Sequence, residues 1–199
     1  MLKKQLEQYI AELLLNDPEK IELHKVEKEY AEKHQLLPAG VEVVLQDAAS
    51  RFSDAYLERC EKETVALIIV ETPKFLDEKI EHLHTRMNEF LYVESKSFDL
   101  VGVDAVSLEV DDVFGTYTAM FGLKMKKKYE SRIKEYLDAN LSGEAGKYSV
   151  AFSGKDGLFD MNFALSYAAG FNEEMTFLDA YDLIYSFVFS MVAEIEDAE

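Results

Sequence analysis

Hydrophobic side chains recur along this chain with two different periods, and the change of period predicts where helices give way to strands. Leu2, Leu6, Tyr9, Ile10, Leu13 and Leu14 fall at three- and four-residue intervals, which predicts a first helix. Asn16-Asp17-Pro18 then reads as a turn in which Asp17 caps, and Pro18 opens, a second helix carrying Leu23, Val26 and Tyr30 on one side. These two helices are expected to form an antiparallel pair with a wet outer face. After Pro38-Ala39-Gly40, the spacing of Val44, Leu45, Ala48, Phe52, Ala55, Tyr56 and Cys60 predicts a third helix from about Val41.

The pattern changes at Thr64-Val65-Ala66-Leu67-Ile68-Ile69-Val70, an unbroken aliphatic run expected of a strand covered on both faces. A fourth helix is read from Pro73 toward Leu91, with Leu76, Ile80, Leu83, Met87, Phe90 and Leu91 inward. Residues 92–110 read as strand and loop, and Asp111 or Asp112 as the cap of a long helix ending near Asn140, before Gly143. From Lys147 to Tyr167 the alternation is strict. Tyr148, Val150 and Phe152 lie on one side, and beyond Gly154-Lys155-Asp156-Gly157 the residues Phe159, Met161, Phe163, Leu165 and Tyr167 continue it, which is a hairpin with one buried face.

The last predicted helix, 177–195, opens at Thr176-Phe177-Leu178-Asp179, a capping-box pattern with Asp in place of Glu. Asp179, Asp182, Ser186, Ser190 and Ala193 share one narrow stripe, and apolar residues fill nearly all the rest. A surface helix needs an apolar arc of only about 100°. The wider arc here implies burial on several sides. Either the helix is central to the domain, or Tyr181, Ile184, Phe187, Val188 and Met191 form an interface with a second chain.

These elements predict an α+β fold: a small, mainly antiparallel sheet with strand 64–70 and the 147–167 hairpin, packed against several helices, with the C-terminal helix on or across it. One domain is expected over 1–199, mainly helical to residue 62 and mixed from 63 onward. With 48 % hydrophobic and 30 % charged residues, the chain has the composition of a folded protein. A single cysteine, Cys60, excludes an internal disulfide framework. Glu7 and Glu12 interrupt the first apolar run, and Leu183–Ala193 falls short of the roughly 20 residues a membrane span needs. A cytoplasmic location is expected.

The net charge of −18 repels phosphate backbones and anionic lipid heads, so neither nucleic acid nor a membrane is an expected partner. The basic residues Lys124, Lys128 and Arg132 share a row at i, i+4 and i+8 if the helix there is continuous. That row is a candidate patch for an anion or an acidic partner; charge balance within the fold is its plainer explanation.

Few constellations carry chemistry. Glu81 and His84 have the Glu-x-x-His spacing of di-iron bundles, yet no second such motif exists. His82 and His84 point about 200° apart on a helix and cannot share an ion. Glu109, Asp111 and Asp112 cluster where carboxylates favour a helix start, and no EF-hand spacing surrounds them. Cys60 reads as a small buried hydrophobe. The loop at 154–157 has neither Walker nor dinucleotide spacing. No metal and no other cofactor is expected. The function these features predict is an acidic binding or regulatory module acting through protein–protein contact, with a homodimer as one form. The competing class is a divalent-metal hydrolase drawing on Glu109, Asp111 and Asp112, with Glu78 or His82 assisting.

Overall fold

The computed structural model describes residues 1–198. The first helix, α1 (Leu2–Asn16), buries Leu2, Leu6 and Ile10 as their spacing predicts. Asp17 then caps a turn rather than a helix: its Oδ1 accepts from the amides of Glu19 and Lys20. The chain enters strand β1 (Lys20–Leu23), helix α2 (Lys25–Lys33) and strand β2 (Glu42–Leu45). β1 and β2 pair in parallel across α2, so a strand separates α1 from the second helix.

The helix expected from Val41 to Cys60 does not form. Its apolar spacing fits a helix, but Val43 and Val44 are β-branched and β1 offers them a ladder. Asp47 caps only the short α3 (Ala48–Arg51), accepting from the Ser50 amide at 3.0 Å. The segment after it is strand β3 (Tyr56–Glu61), which pairs on both sides, with β4 (Leu67–Glu71) and with β5 (Glu89–Glu94). Between β4 and β5, Thr72-Pro73 opens a 3-10 turn (Pro73–Asp77) followed by the short α4 (Glu81–Thr85), in place of one continuous helix to Leu91.

A second correction covers 111–129. After β6 (Val103–Val110), Asp111 Oδ1 accepts from the amides of Val113 and Phe114 and so caps a tight turn. Gly115, at φ +65°, completes the turn into β7 (Tyr117–Leu123). The alternation of Tyr117, Ala119, Phe121 and Leu123 outweighs the helical reading, because β6 and a later strand both pair with it. Helix α5 spans only Glu130–Asn140. The hairpin stands as read: β8 (Tyr148–Ser153) and β9 (Leu158–Ala164) pair from Tyr148–Phe163 to Ser153–Leu158.

The result is α+β. Seven antiparallel strands lie in the order β4-β3-β5-β6-β7-β9-β8, and the long α6 (Phe177–Asp197) closes the chain. Both halves of the predicted capping box at Thr176 and Asp179 are formed. One continuous apolar cluster joins Leu6 and Ile10 of α1, the inward residues of the sheet such as Leu57, Leu91 and Phe163, and α6 along its length. Among the described residues no helix is long and apolar enough to cross a membrane.

Candidate interaction surface and polar cleft

Strand β4 is where sequence and structure disagree most usefully. Its composition predicts a strand with both faces covered, yet it lies at the edge of the sheet, bonded among the described residues only to β3. Leu67, Ile68, Ile69 and Val70 keep 54, 45, 44 and 47 % of their surface in water, and Val65 before them keeps 67 %. Leu67 lies across from Cys60, Ile69 across from Arg59 and Val70 across from Glu58, with Ile68 as the extra residue of a bulge. Edge strands are commonly blunted by lysine, proline or a bulge. The bulge is present, and no lysine or proline falls within β4 itself.

This edge is held in place from inside the sheet. Arg59 donates through Nε to Glu71 of β4 and through Nη1 to Glu89 of β5, each at 2.8 Å. Its guanidinium lies 5.5 Å from the centre of the Phe75 ring. Three segments are thereby fixed around one cation. His82 approaches the same group, its Nε2 being 3.4 Å from Arg59 Nη1 and from Arg86 Nη1. Burial first, then these two arginines, pushes its pKa down. His84 instead meets the Tyr117 ring edge-on at 4.8 Å. The two histidines serve different neighbours.

A polar cleft of about 530 Å³ opens between α1, α3 and the 3-10 turn Lys96–Val101. Its floor is an ion pair that the sequence reading missed. Arg51, whose side chain is 3 % exposed, donates to both oxygens of Glu27, through Nη1 at 2.5 Å and Nη2 at 3.3 Å. Its Nε reaches Asp182 Oδ1 at 2.9 Å. Tyr185 donates its hydroxyl to Glu27 at 2.7 Å. The network joins α2, α3 and α6, and Ser97 anchors the fourth side by donating to the Arg51 carbonyl at 2.8 Å. His24 lines the cleft nearby; burial and then Arg51 hold its pKa below the ordinary value.

These groups tie helices together. Glu27 accepts from both Arg51 and Tyr185. One signal in the sequence could have exposed Glu27: it shares the Leu23, Tyr30 and Ala31 stripe at helical spacing, a charged residue on a buried face.

The remaining predicted site residues scatter. Tyr181, Ile184, Val188 and Met191 of the expected interface are 0–2 % exposed within the chain's own core, and the Tyr181 hydroxyl donates to the Leu91 carbonyl. The half-buried Phe187 stacks on Phe163 at 4.7 Å. The wide apolar arc of α6 is therefore buried within the chain, because the sheet and the helices α1, α2, α3 and α5 surround it. Lys124 follows β7, Lys128 lies in a 3-10 turn (Lys127–Tyr129) and Arg132 is in α5, so no single helical row joins them. Lys124 is paired with Asp104.

Asp112 pairs with Lys62 at 3.0 Å, and burial raises the pKa of the Glu109 carboxyl. Cys60 is buried; burial, then Glu58, raises its thiol pKa, the opposite of what an activated nucleophile needs. Among the described residues no group of three or more His, Cys, Asp or Glu side chains is placed to hold a metal ion. No protein-family model, no curated protein and no solved structure matches this chain.

Proposed function

We propose that this chain is an acidic binding or regulatory module that acts by protein–protein contact, with the outer edge of β4 as its working surface. The observation that carries the reading is the exposure of four consecutive aliphatic side chains, Leu67 to Val70, on a strand with an open backbone edge. Addition of a strand to such an edge supplies main-chain hydrogen bonds, while flanking side chains supply selectivity. Apolar surface of this kind on one segment marks a contact site more often than bare exterior. The charge of −18 adds that the partner is not a phosphate-rich polymer.

A photo-cross-linking residue at Ile68 tests the reading in cells that express the protein, with the same residue at Asn162, exposed on β9 across the sheet, as control. Position 68 should yield a covalent adduct with a protein chain and position 162 should not. Adducts of equal yield at both positions, or at neither, overturn it.

A further inference from the structure

We infer that the occupant of the β4 edge is a second copy of this chain, joined about a two-fold axis so that two β4 strands pair antiparallel and the two sheets become one. The inference rests on the contact reading above and gives it a partner.

An antiparallel edge is its own complement: a two-fold rotation brings the same strand alongside itself, running the opposite way, and the assembly closes. The other free edge, β8, would join β4 only head to tail and leave open ends. The side chains also match. The bulge at Ile68 puts Leu67 and Val70, opposite Cys60 and Glu58, on one face of β4. An axis between Ile68 and Ile69 therefore sets each Leu67 against the mate's Val70 and brings each Ile68 beside the mate's Ile69. From Leu67 to Val70 the opposed pairs are then all aliphatic, the arrangement that stabilises adjacent strands. Charge at the two ends agrees. Glu63 precedes β4 and Lys74 follows it, both are exposed, and among the described residues neither has an ion-pair partner. The same axis sets the Lys74 end of one strand beside the Glu63 end of the other, twice over.

The overall charge works against this pairing and provides its signature. Two bodies of −18 repel, and salt screens the repulsion, so self-association tightens as salt is added. A basic partner on the same edge would bind by attraction and loosen with salt.

Sedimentation velocity on the purified chain, over a wide concentration range at about 50 mM and about 500 mM salt, reads this directly. The expected result is a monomer–dimer equilibrium roughly tenfold tighter at the higher salt. Ile69→Lys and Ile68→Glu should each be monomeric at concentrations where wild type is a dimer, with unchanged circular dichroism. Mixing the two should restore a heterodimer, because residues 68 and 69 of opposite copies lie beside each other. A dimer that survives Ile69→Lys, one that loosens with salt, or variants that fail to recombine overturns the inference. If wild type is monomeric throughout while Ile68 still cross-links a protein in cells, the second copy is wrong and the contact reading stands. If neither occurs, both fall.

Discussion

Tyr185 lies beneath the guanidinium of Arg51, with Arg51 Cζ 3.7 Å from its ring centre, and both residues direct their donors to a single carboxylate, Glu27. Burial, then Glu27, holds the phenol proton on, well above its ordinary pKa. A buried cation of this kind is stable only while its carboxylate remains. Arg51→Met should cost about 3–5 kcal/mol by leaving Glu27 charged and unpaired. For a chain of this length each kcal/mol moves Tm by about 2–4 °C. Glu27→Leu combined with Arg51→Met should recover part of the loss, since no fully buried charge is left, although the Tyr185 hydroxyl then lacks its acceptor. Chemical denaturation of the single and double variants checks this; a single variant within about 1 kcal/mol of wild type would contradict the network.

Stability should fall on mild acidification. Burial holds the pKa of His24 and of His82 below the ordinary value near 6.5. Below about pH 6.5 the unfolded chain therefore takes up protons that the native chain refuses, and stability declines as pH falls through that window. Above it, these groups add no slope. Urea midpoints at about pH 7.5 and about pH 5.5 should differ for wild type, and the difference should shrink in His24→Gln and in His82→Gln. An unchanged difference in both variants would remove the imidazoles from the account.

Val65 holds φ at +56° in the turn that leads into β4, a conformation that β-branched side chains rarely adopt. Its side chain is largely exposed, so little packing offsets the strain. Val65→Asn should stabilise the chain by about 1 kcal/mol, since asparagine tolerates the left-handed region. Thermal unfolding measures it, and a loss of stability would mean that Val65 makes contacts worth more than the strain.

The edge and the core should respond oppositely to substitution. Leu57, on β3 next to β4, is fully buried, and Leu57→Ala should cost about 2–5 kcal/mol. Ile69→Lys, only two positions from Leu57's partner Glu71, should change the stability of the dilute protein by no more than about 0.5 kcal/mol. A large loss in Ile69→Lys would show that β4 is covered within its own chain.

Where local pattern and tertiary partner agree, the sequence is readable. The hairpin at 148–164 pairs neighbours in the chain, so strict alternation and the Asp156-Gly157 turn suffice to define it. The closing helix is equally plain from its capping box and its wide apolar arc. The misread segments each have at least one partner far away. Residues 42–45 could have continued a helix until β1 supplied a parallel ladder, and Tyr56–Glu61 became a strand because β5, some thirty residues later, pairs with it. Residues 117–123 lie between β6 and β9, with β9 more than thirty residues away, and the same argument applies. Of the candidate sites, the Arg51–Glu27 pair was hidden because its members lie 24 residues apart and meet Tyr185 only through the fold.

By itself the sequence determined the α+β class, the hairpin, the wide apolar arc of the final helix and the aliphatic strand near residue 67. Periodicity encodes which side of an element avoids water, and that is a local property. Tertiary structure alone decided that this strand borders the sheet instead of lying inside it. Its position depends on which other strands outcompete it for neighbours, and no pattern within seven residues can express that.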